Sequence, residues 1–523
     1  MPRPRLVLPL VATFLVASPA AAQTPIPDRA AIQAATARRP SADSAAARPF
    51  APAGHWTRGV LRRLALDGVV DAGAASGAWP VAEDIIARLL ARAGTPASAA
   101  DPDSANVASA AAVIGPLAGF TARFAEERTP IANLPLRLAV RGALGIEDRR
   151  GALRAGVSVP DAAGYRYTGP AALGDRTDFQ GRVEADVGWW RFAGRIAISD
   201  VDGPSAADEA YVAAAPGPVQ LWLGRRGLSP GATMRGGLVL GDAARFDGIG
   251  IETSRPFRLP SFLRALGDVR ASQTIARIDR SGDVVRPWFL ATRISFAPSP
   301  GLAIGLNRAA IFGGEDNVGV TARRVLLMLL GFSDVAGKDS DFENQVASAD
   351  LYWRAPSEMP VALYGEYGAE DTGFAFVHVP AFIVGLEAAP RRGSALSGAL
   401  EHVRFARSTR DYPEWYRHGA LGGGWTDRGE LLGHALGGHG HSTSVEARWH
   451  DSPRGWIASL RLSALWRGDE NLFAPDREGG AVAAEGALLW FLGERTRLSF
   501  GGEVERGGGW TRSIANVGLL VVF

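Results

Sequence analysis

Apolar and polar side chains alternate with a period of two in many segments after residue 136. In 179–189 the odd positions are Phe, Gly, Val, Ala, Val and Trp, and the even positions are Gln, Arg, Glu, Asp and Gly. Residues 456–466 repeat the pattern, with apolar even positions and Ser459, Arg461 and Ser463 between them. A period of two is that of a β-strand, whereas a helix would scatter these charges over all its sides. Both segments are therefore predicted to be strands with one apolar and one polar face.

The same alternation predicts strands at 288–296, 444–449, 498–505 and 517–523. Several runs end in an aromatic residue, as do strands whose rings lie at lipid headgroups, and Gly, Asp and Pro clusters between the runs predict turns. A soluble β-sandwich also alternates, but here many polar faces are heavily charged. The last run places Val517, Leu519, Val521 and Phe523 on one face, which resembles the signal read by the outer-membrane assembly machinery. We therefore predict a large antiparallel transmembrane β-barrel.

The length of the chain bounds the number of strands. Strand-like sequence begins near Leu136, and at about 10 residues a strand the remainder accommodates roughly 16 to 20 strands. The longest later apolar run, Val325 to Phe332, is too short for a membrane-spanning helix. Residues 131–523 are therefore assigned to the barrel, with an even number of strands expected.

The N-terminal residues indicate export. Arg3 and Arg5 precede an apolar run from Leu6 to Val16, and Ala20 to Ala22 offer a cleavage site before Gln23. This is the layout of a secretory signal peptide over residues 1–22, and the apolar run is too short for a membrane anchor. Residues 23–54, rich in Ala and Pro, read as a flexible linker.

Residues 55–130 are predicted to form a small helical subdomain. One helix covers 58–66 and closes near Gly68. A second begins at Pro80 and stops at Gly94, and a third covers 104–126 with a break at Gly115 and Pro116. This subdomain either caps the barrel from the periplasm or enters it as a plug.

Composition excludes several kinds of chemistry. The chain has no Cys, so neither disulfides nor thiolate catalysis are possible. A formal net charge of +2 gives no basic field for nucleic acid. His434, His439 and His441 could bind a metal, but without a neighbouring carboxylate ligand a solvated loop is the favoured interpretation. We expect no metal and no cofactor.

Two other constellations have simpler interpretations. Gly313 to Asp316 could form a cation site but fit a turn between strands better. His402 and Ser408 are close in sequence, as in the dyad of barrel phospholipases, but no nucleophile elbow surrounds them. Catalysis is not expected.

Several ordered motifs give a specific resemblance. In order they are Leu64, Asp67-Gly68-Val69-Val70, Trp79-Pro80, Leu223-Gly224-Arg225-Arg226, Pro230-Gly231, Gly237-Leu238-Val239-Leu240, Ala244-Arg245, Gly305-Leu306-Asn307-Arg308, Phe312-Gly313-Gly314-Glu315, Asn344-Gln345, Asp350, Leu363-Tyr364-Gly365-Glu366, Glu370-Asp371, Tyr412, Tyr416, Gly419 and Gly433-His434. This sequence of motifs resembles the Wzi family of outer-membrane capsule-assembly proteins. One departure is Leu228-Ser229-Pro230-Gly231, where the family usually has Trp before Gly-Pro-Gly, which weakens the case for sugar stacking there.

The resemblance implies a barrel of about 18 strands and a lectin that holds capsular or other exopolysaccharide at the cell surface, without enzymatic activity. Sugar binding uses aromatic faces, bidentate Arg and carboxylates. The candidate polysaccharide-binding residues are Arg225, Arg226, Asn307, Arg308, Glu315, Glu366, Glu370, Asp371 and Tyr416. The alternative for each is a lumen residue in a charge ladder that fills the barrel or pairs with the N-terminal helices.

Three functions remain open from the sequence: a polysaccharide lectin, a porin-like diffusion channel and a barrel enzyme. The expected partners are the polysaccharide, outer-membrane lipids and, through the strand ending at Phe523, the barrel assembly machinery. We expect a monomer in the outer membrane that binds no nucleic acid.

Overall fold

The computed structural model describes residues 50–51, 57–76, 81–82, 120, 136–150, 176–189, 192–199, 207–215, 218–228, 231, 233–241, 245–281, 284–315, 320–323, 325, 343–370, 380–409, 414–418, 423–427, 430–493 and 496–522. Among these residues there is no helix with the length and apolar character needed to cross a membrane.

The described residues form a closed barrel of 18 antiparallel strands. In chain order the strands β1 to β18 are Leu136–Arg150, Arg176–Trp189, Phe192–Ser199, Ala207–Ala214, Val219–Gly227, Arg245–Thr253, Asp268–Arg277, Trp288–Ser299, Leu302–Phe312, Glu343–Arg354, Val361–Glu370, Ala381–Ala388, Leu396–Phe405, Gly440–Asp451, Trp456–Arg467, Gly479–Phe491, Thr496–Gly507 and Thr511–Val522. The last strand pairs with the first, with Val517 opposite Ile146, and this pairing closes the barrel. The predicted barrel is confirmed.

The two faces of the wall follow the alternation in the sequence. Val445, Leu462 and Val504 point outward and are 57%, 55% and 50% exposed, whereas their neighbours Glu446 and Glu505 are buried inside. An exposed apolar outer face with charged groups inside is the arrangement of a transmembrane barrel. The polar faces predicted from sequence are therefore lumen faces.

The two ends of the barrel differ in the length of their connections. At the end where β1 begins and β18 finishes, β8 and β9 are joined by residues 300–301 alone. At the other end, residues 228–244 join β5 to β6 and residues 406–439 join β13 to β14. Short turns face the periplasm and long loops face the cell exterior in such barrels, which fixes the orientation.

The helix predicted at 58–66 is present and enters the barrel. Helix α1 covers Thr57–Asp67, and its end is a Schellman-type cap in which Gly68 has φ +81° and Val69 N donates to Leu64 O at 2.9 Å. Arg354 at the periplasmic end of β10 donates to Ala65 O at 3.0 Å. Because most of α1 is buried against inward side chains of the wall, the helix is a plug and not an external cap.

A short second helix, α2, follows at Gly73–Ser76. Val81 and Ala82 pair with Phe50 and Ala51 in an antiparallel two-stranded sheet, so the prediction of a helix beginning at Pro80 is wrong for these two residues. Backbone pairing with a distant segment has overridden a local capping signal. The remainder of that predicted helix lies outside the described residues, as do the signal peptide and residues 23–49.

Within the third predicted helix only Phe120 is described, in helical conformation and against Phe491.

An extracellular loop enters the lumen from the opposite end to α1. Residues 233–241, here called the plug loop, fold inward from the β5–β6 connection, and Leu238, Val239 and Leu240 are buried. They pack in one apolar cluster with Tyr416 and Trp425 of the β13–β14 connection. Arg62 of α1 donates to Thr233 O at 3.4 Å, so the helix from the periplasm and the loop from outside meet inside the barrel.

Candidate functional site

Five of the nine sequence-predicted site residues are buried inside the barrel, and four of these five support the plugs. Arg226, Asn307, Glu366, Glu370 and Tyr416 are all buried. Glu366 of β11 accepts hydrogen bonds from Leu238 N at 3.1 Å and from the Ser348 hydroxyl at 2.5 Å. Glu370 lies four residues further along β11, toward the extracellular end, and accepts a hydrogen bond from Tyr416 N at 2.6 Å. These two carboxylates bind backbone donors of the inward-folded loops and are not presented to solvent.

Tyr416 ties the two inward-folded connections to each other. Its phenol donates to Leu238 O at 2.5 Å and accepts from His434 N at 2.9 Å. Its φ is +64°, an unusual conformation for a residue with a side chain. A Cβ on Gly433 would lie 2.3 Å from the Tyr416 ring, so the glycine of this motif is needed for close packing. Burial raises the pKa of the phenol well above its ordinary value, which keeps it protonated as a donor.

Asn307 belongs to a cluster that seats α2. Its amide donates to Asp350 at 2.7 Å, and Arg293 donates to the same carboxylate at 2.5 Å. The second terminal nitrogen of Arg293 donates to Ser76 O at the end of α2, also at 2.5 Å. Arg226 is paired separately, through both terminal nitrogens, with Glu252 at 3.2 Å.

The remaining candidates lie elsewhere. Arg225 and Arg308 alternate with inward residues and so point to the outer face, where Arg225 pairs with Asp247 at 2.8 Å and Arg308 donates to Gln345 at 2.9 Å. Glu315 is exposed at the extracellular end and lies 3.6 Å from Arg286. Asp371 lies outside the described residues. The structure therefore does not bring the nine candidates into one site.

A row of ion pairs crosses the lumen and links the two plugs. It runs from Arg62 of α1 to Arg235 of the plug loop, with separations of 2.6, 2.7, 2.5, 2.8, 3.0 and 2.5 Å between successive partners. In order, its members are Arg62, Glu387, Arg448, Glu446, Arg461, Glu485 and Arg235. Burial opposes ionisation of Arg62, but Glu387, Tyr364 and Tyr352 together outweigh it, so the pKa of the guanidinium is raised. The lumen charges thus pair with each other.

A second charged group lies at the extracellular surface and was missed from sequence. We call Arg407, Glu414, Arg417, Asp469 and Glu470 the rim cluster. Arg407 lies 2.6 Å from Asp469 and 3.3 Å from Glu470, and its side chain is 64% exposed. Arg417 lies 3.1 Å from Glu414 and donates to Asn471 O at 2.9 Å, which joins the β13–β14 and β15–β16 loops.

The chemistry of the rim cluster suits a polyhydroxylated or acidic ligand. Guanidinium groups bind carboxylates and hydroxyls through paired N–H donors, and carboxylates accept hydroxyl hydrogen bonds. Burial would raise the pKa of Glu470, but hydrogen bonds from Ser408 and Arg407 lower it below its ordinary value, so the group is an anion at neutral pH. Its sequence signal was weak, since opposite charges in polar loops are common.

The histidine-rich stretch does not form a solvated loop. His434 and His439 are buried, His434 beside Phe405, and only His441 is exposed, so that interpretation is wrong for the first two. Their loop folds inward because Gly437 and Gly438, with φ of +87° and +98°, allow close packing on Phe473 and Trp415. In the part of the chain that is described, no three His, Cys, Asp or Glu side chains are grouped to bind a metal.

The two residues considered as a dyad have different partners. His402 Nδ1 lies 2.9 Å from the Thr443 hydroxyl, whereas the Ser408 hydroxyl donates to Glu470 at 2.6 Å. Gly313 and Gly314 adopt φ of +61° and +122°, and Glu315 N donates to Val285 O, which agrees with the turn predicted there.

Comparisons with known proteins agree with this architecture. The structure is similar to Escherichia coli Wzi, described as an outer-membrane protein involved in group 1 capsule assembly and a carbohydrate-binding β-barrel. The TM-score is 0.68 at 19% identity, covering 91% of this chain and 99% of that one. Pseudomonas aeruginosa OccK5 and OpdQ also match, at TM-scores of 0.44 and 0.45, too low to support an argument. No curated protein sequence matches.

The sequence itself decides the family. The family model of the capsule assembly protein Wzi matches residues 171–506, which is more than half of the chain. Together with the apolar outer wall, this places the protein in the outer membrane. The chain belongs to the Wzi family of capsule assembly proteins.

Proposed function

We propose that this protein is an outer-membrane lectin that attaches capsular or other exopolysaccharide to the cell surface and so helps to assemble the capsule. Its family is one of capsule assembly, and the E. coli relative with the same fold binds carbohydrate. The polymer would be bound and not chemically changed. The protein would act as a monomer in contact with outer-membrane lipids, after assembly through the strand that ends at Phe523.

The contact between the two plugs is the observation that carries this proposal. Arg62 of α1 reaches Thr233 O of the plug loop, and the row of buried ion pairs connects the same two elements across the lumen. A diffusion channel needs a continuous water-filled path, whereas a barrel filled from both ends serves as a rigid support for a surface. This favours the lectin over the porin-like alternative.

The binding surface that we propose is the rim cluster. Arg407, Asp469 and Arg417 are exposed at the extracellular end and come from two loops anchored on the plugged barrel. Glu366, Glu370 and Tyr416 would then contribute by positioning the inward-folded connections, because they bond to the backbone of these segments. Asn307 would contribute through the cluster that holds α2, and Arg226 through its pair with Glu252 of the wall. Glu315, with Arg286, would extend the same surface along the rim.

The test compares retained and shed polysaccharide in a strain that lacks the protein. The strain is complemented with the wild type, with the double variant R407A/R417A, or with R258A. Arg258 is a matched control, since it pairs with Asp268 at 2.9 Å and is 68% exposed, but at the periplasmic end. We expect the deletion and the double variant to shed polymer at unchanged total synthesis, and R258A to retain it.

Two results would contradict the proposal. Unchanged retention in the deletion strain, together with reduced uptake of small solutes, would identify a channel. Full retention by R407A/R417A would move the binding surface away from the rim cluster. Purified protein in planar bilayers gives an independent check, since a stable open conductance would also contradict the lectin.

A further inference from the structure

Three basic side chains lie together on the outer wall of the barrel and take no part in the plugs or the rim cluster. His402 and Arg404 are on β13 and His441 is on β14. They alternate with the inward residues Glu401, Val403 and Ser442, so they point to the membrane. Arg404 is directly opposite His441 in the strand register, and the rings of His402 and His441 are 6.5 Å apart.

Two aromatic rings flank this basic triad. The Trp466 ring stacks on His441 with centroids 5.6 Å apart, and the Phe382 ring lies 6.0 Å from His402. The stacked ring fixes the orientation of the His441 imidazole, and the pair forms part of a continuous outward surface over β12 to β15. Aromatic rings on the outer face of a barrel concentrate at the level of the lipid headgroups.

The height of the triad agrees with that level. Arg404 is one residue from the extracellular end of β13, and His441 is the second residue of β14. Val384 is opposite His402 in the strand register, and Leu400 and Val445, which are opposite each other, lie next toward the membrane centre; all three are exposed. The triad therefore lies where the apolar band ends on the extracellular side, which is the headgroup region of the outer leaflet.

At the described outward positions of β12 to β15, no carboxylate lies beside the triad. Among the described outward positions of β12 to β15 the one carboxylate is Asp451, which lies at the periplasmic end and pairs with Arg454 at 2.8 Å. The acidic residues just above, Asp469 and Glu470, are already bound by Arg407. Arg404 therefore has a histidine opposite it and no carboxylate partner at the described outward positions of these strands, so its guanidinium can donate to an external anion.

We propose that His402, Arg404 and His441 bind the phosphate of a phosphorylated glycolipid in the outer leaflet of the outer membrane. Arg404 would supply paired N–H donors to the phosphate oxygens, and the two imidazoles would add single hydrogen bonds. The acyl chains would lie on the apolar face formed by Val384, Leu400 and their neighbours. This lipid site is independent of the polysaccharide surface proposed above.

The opposite side of the barrel supplies a matched control. Arg225 also points outward near the extracellular end, on β5, but it is neutralised by Asp247 at 2.8 Å. If any outward arginine at this height bound phosphate, Arg225 would do so as well. If an uncompensated charge is required, substitution of Arg225 should have little effect.

The experiment measures lipid binding by native mass spectrometry of the full-length protein in nanodiscs. The probes are bis-phosphorylated lipid A and the same lipid with both phosphates removed. We expect the wild type and R225Q to bind the phosphorylated lipid about tenfold or more tightly than the dephosphorylated lipid. A difference of this size is what one charge-assisted hydrogen bond contributes. The triple variant H402Q/R404Q/H441Q should lose that preference while keeping the heat-modifiable migration of a folded barrel.

Three outcomes would overturn the proposal. Equal retention of the two lipids by the wild type would remove the role of phosphate. A loss in R225Q equal to that in the triple variant would reduce the effect to general surface charge. Displacement of the lipid by inorganic phosphate at equal concentration would identify a site for free phosphate and not for a glycolipid.

Discussion

Opposite charges meet in two very different settings in this protein. In the lumen, Arg448 and Glu387 are 2.7 Å apart with side chains only 16% and 3% exposed. At the extracellular end, Arg407 and Asp469 are 2.6 Å apart but 64% and 53% exposed. The separations are alike, so the difference lies in the access of water.

Water access determines what each pair can do. A buried pair cannot exchange its partner for solvent, and the loss of one member leaves an uncompensated charge inside. An exposed pair is weak and screened by salt, so its groups can turn to an arriving ligand at little cost. The lumen pairs are therefore suited to fixing the plugs, and the rim pairs are suited to binding.

Glu387→Ala should give the largest effect, because Glu387 accepts from both Arg62 and Arg448. Removing this carboxylate leaves two buried guanidinium groups without their shared anionic partner and should lower the free energy of unfolding by about 3–5 kcal/mol. The anchor of α1 would weaken, and we expect transient openings in planar-bilayer recordings together with a lower midpoint of urea unfolding.

The control for this substitution is Glu315→Ala, which removes a carboxylate 3.6 Å from Arg286 at the exposed rim. It should change stability by less than about 1 kcal/mol and leave the bilayer current unchanged. Equal effects of the two substitutions would remove the distinction between lumen and rim pairs.

Tyr416→Phe should have an intermediate effect. The substitution removes the hydroxyl that joins Leu238 O to His434 N while the ring packing remains. Leaving these buried backbone groups without that partner should cost about 1–3 kcal/mol in the free energy of unfolding. Denaturant titration of the folded barrel measures it, with Ser357→Ala as the control because that hydroxyl bonds at an exposed turn. A loss no greater than that of the control would count against the role assigned to Tyr416.

The smallest effect is expected from acid at the rim. The pKa of Glu470 is lowered in the folded protein, since hydrogen bonds from Ser408 and Arg407 outweigh the opposing effect of burial. The hydrogen bonds between Glu470 and Ser408 are therefore fully present above the ordinary pKa of a glutamate carboxyl. They are lost as the pH falls through the lowered pKa of Glu470. Ser408 N donates to Glu470 at 2.7 Å, so hydrogen exchange at this amide should lose its protection in acid.

Glu470→Gln provides the comparison for the acid experiment, because an amide does not titrate in this range. In this variant, the hydrogen-exchange protection of the Ser408 amide should not decrease in acid beyond the ordinary pH dependence of exchange. An identical step in the two proteins would assign the acid effect to another group.

The strands were predictable from sequence because strand formation in this wall obeys a local rule. The segments at 179–189 and 456–466 were assigned from alternation alone, and the observed strands Arg176–Trp189 and Trp456–Arg467 contain them. Helix α1 was also predictable from sequence, because Gly68 marks its end. Val81 and Ala82 were not, since their pairing with Phe50 and Ala51 depends on a segment 30 residues earlier.

The candidate site was only partly predictable. Sequence motifs singled out Asn307, Glu366, Glu370 and Tyr416 as candidate polysaccharide-binding residues, and their contacts in the structure are with plug backbone and with other side chains of the wall. Residue type alone does not distinguish a carboxylate that accepts a sugar hydroxyl from one that accepts a buried N–H. The rim cluster was missed because loop charges carry no periodic signal.

The sequence by itself determined which residues form the wall and which face of each strand meets lipid, because side chains alternate with a fixed period along any strand. Only the tertiary structure decided which charges pair inside. Arg62 and Glu387 are separated by 325 positions and meet only when the barrel has closed around α1. Pairing across a lumen depends on distances in space, and no periodicity along the chain encodes them.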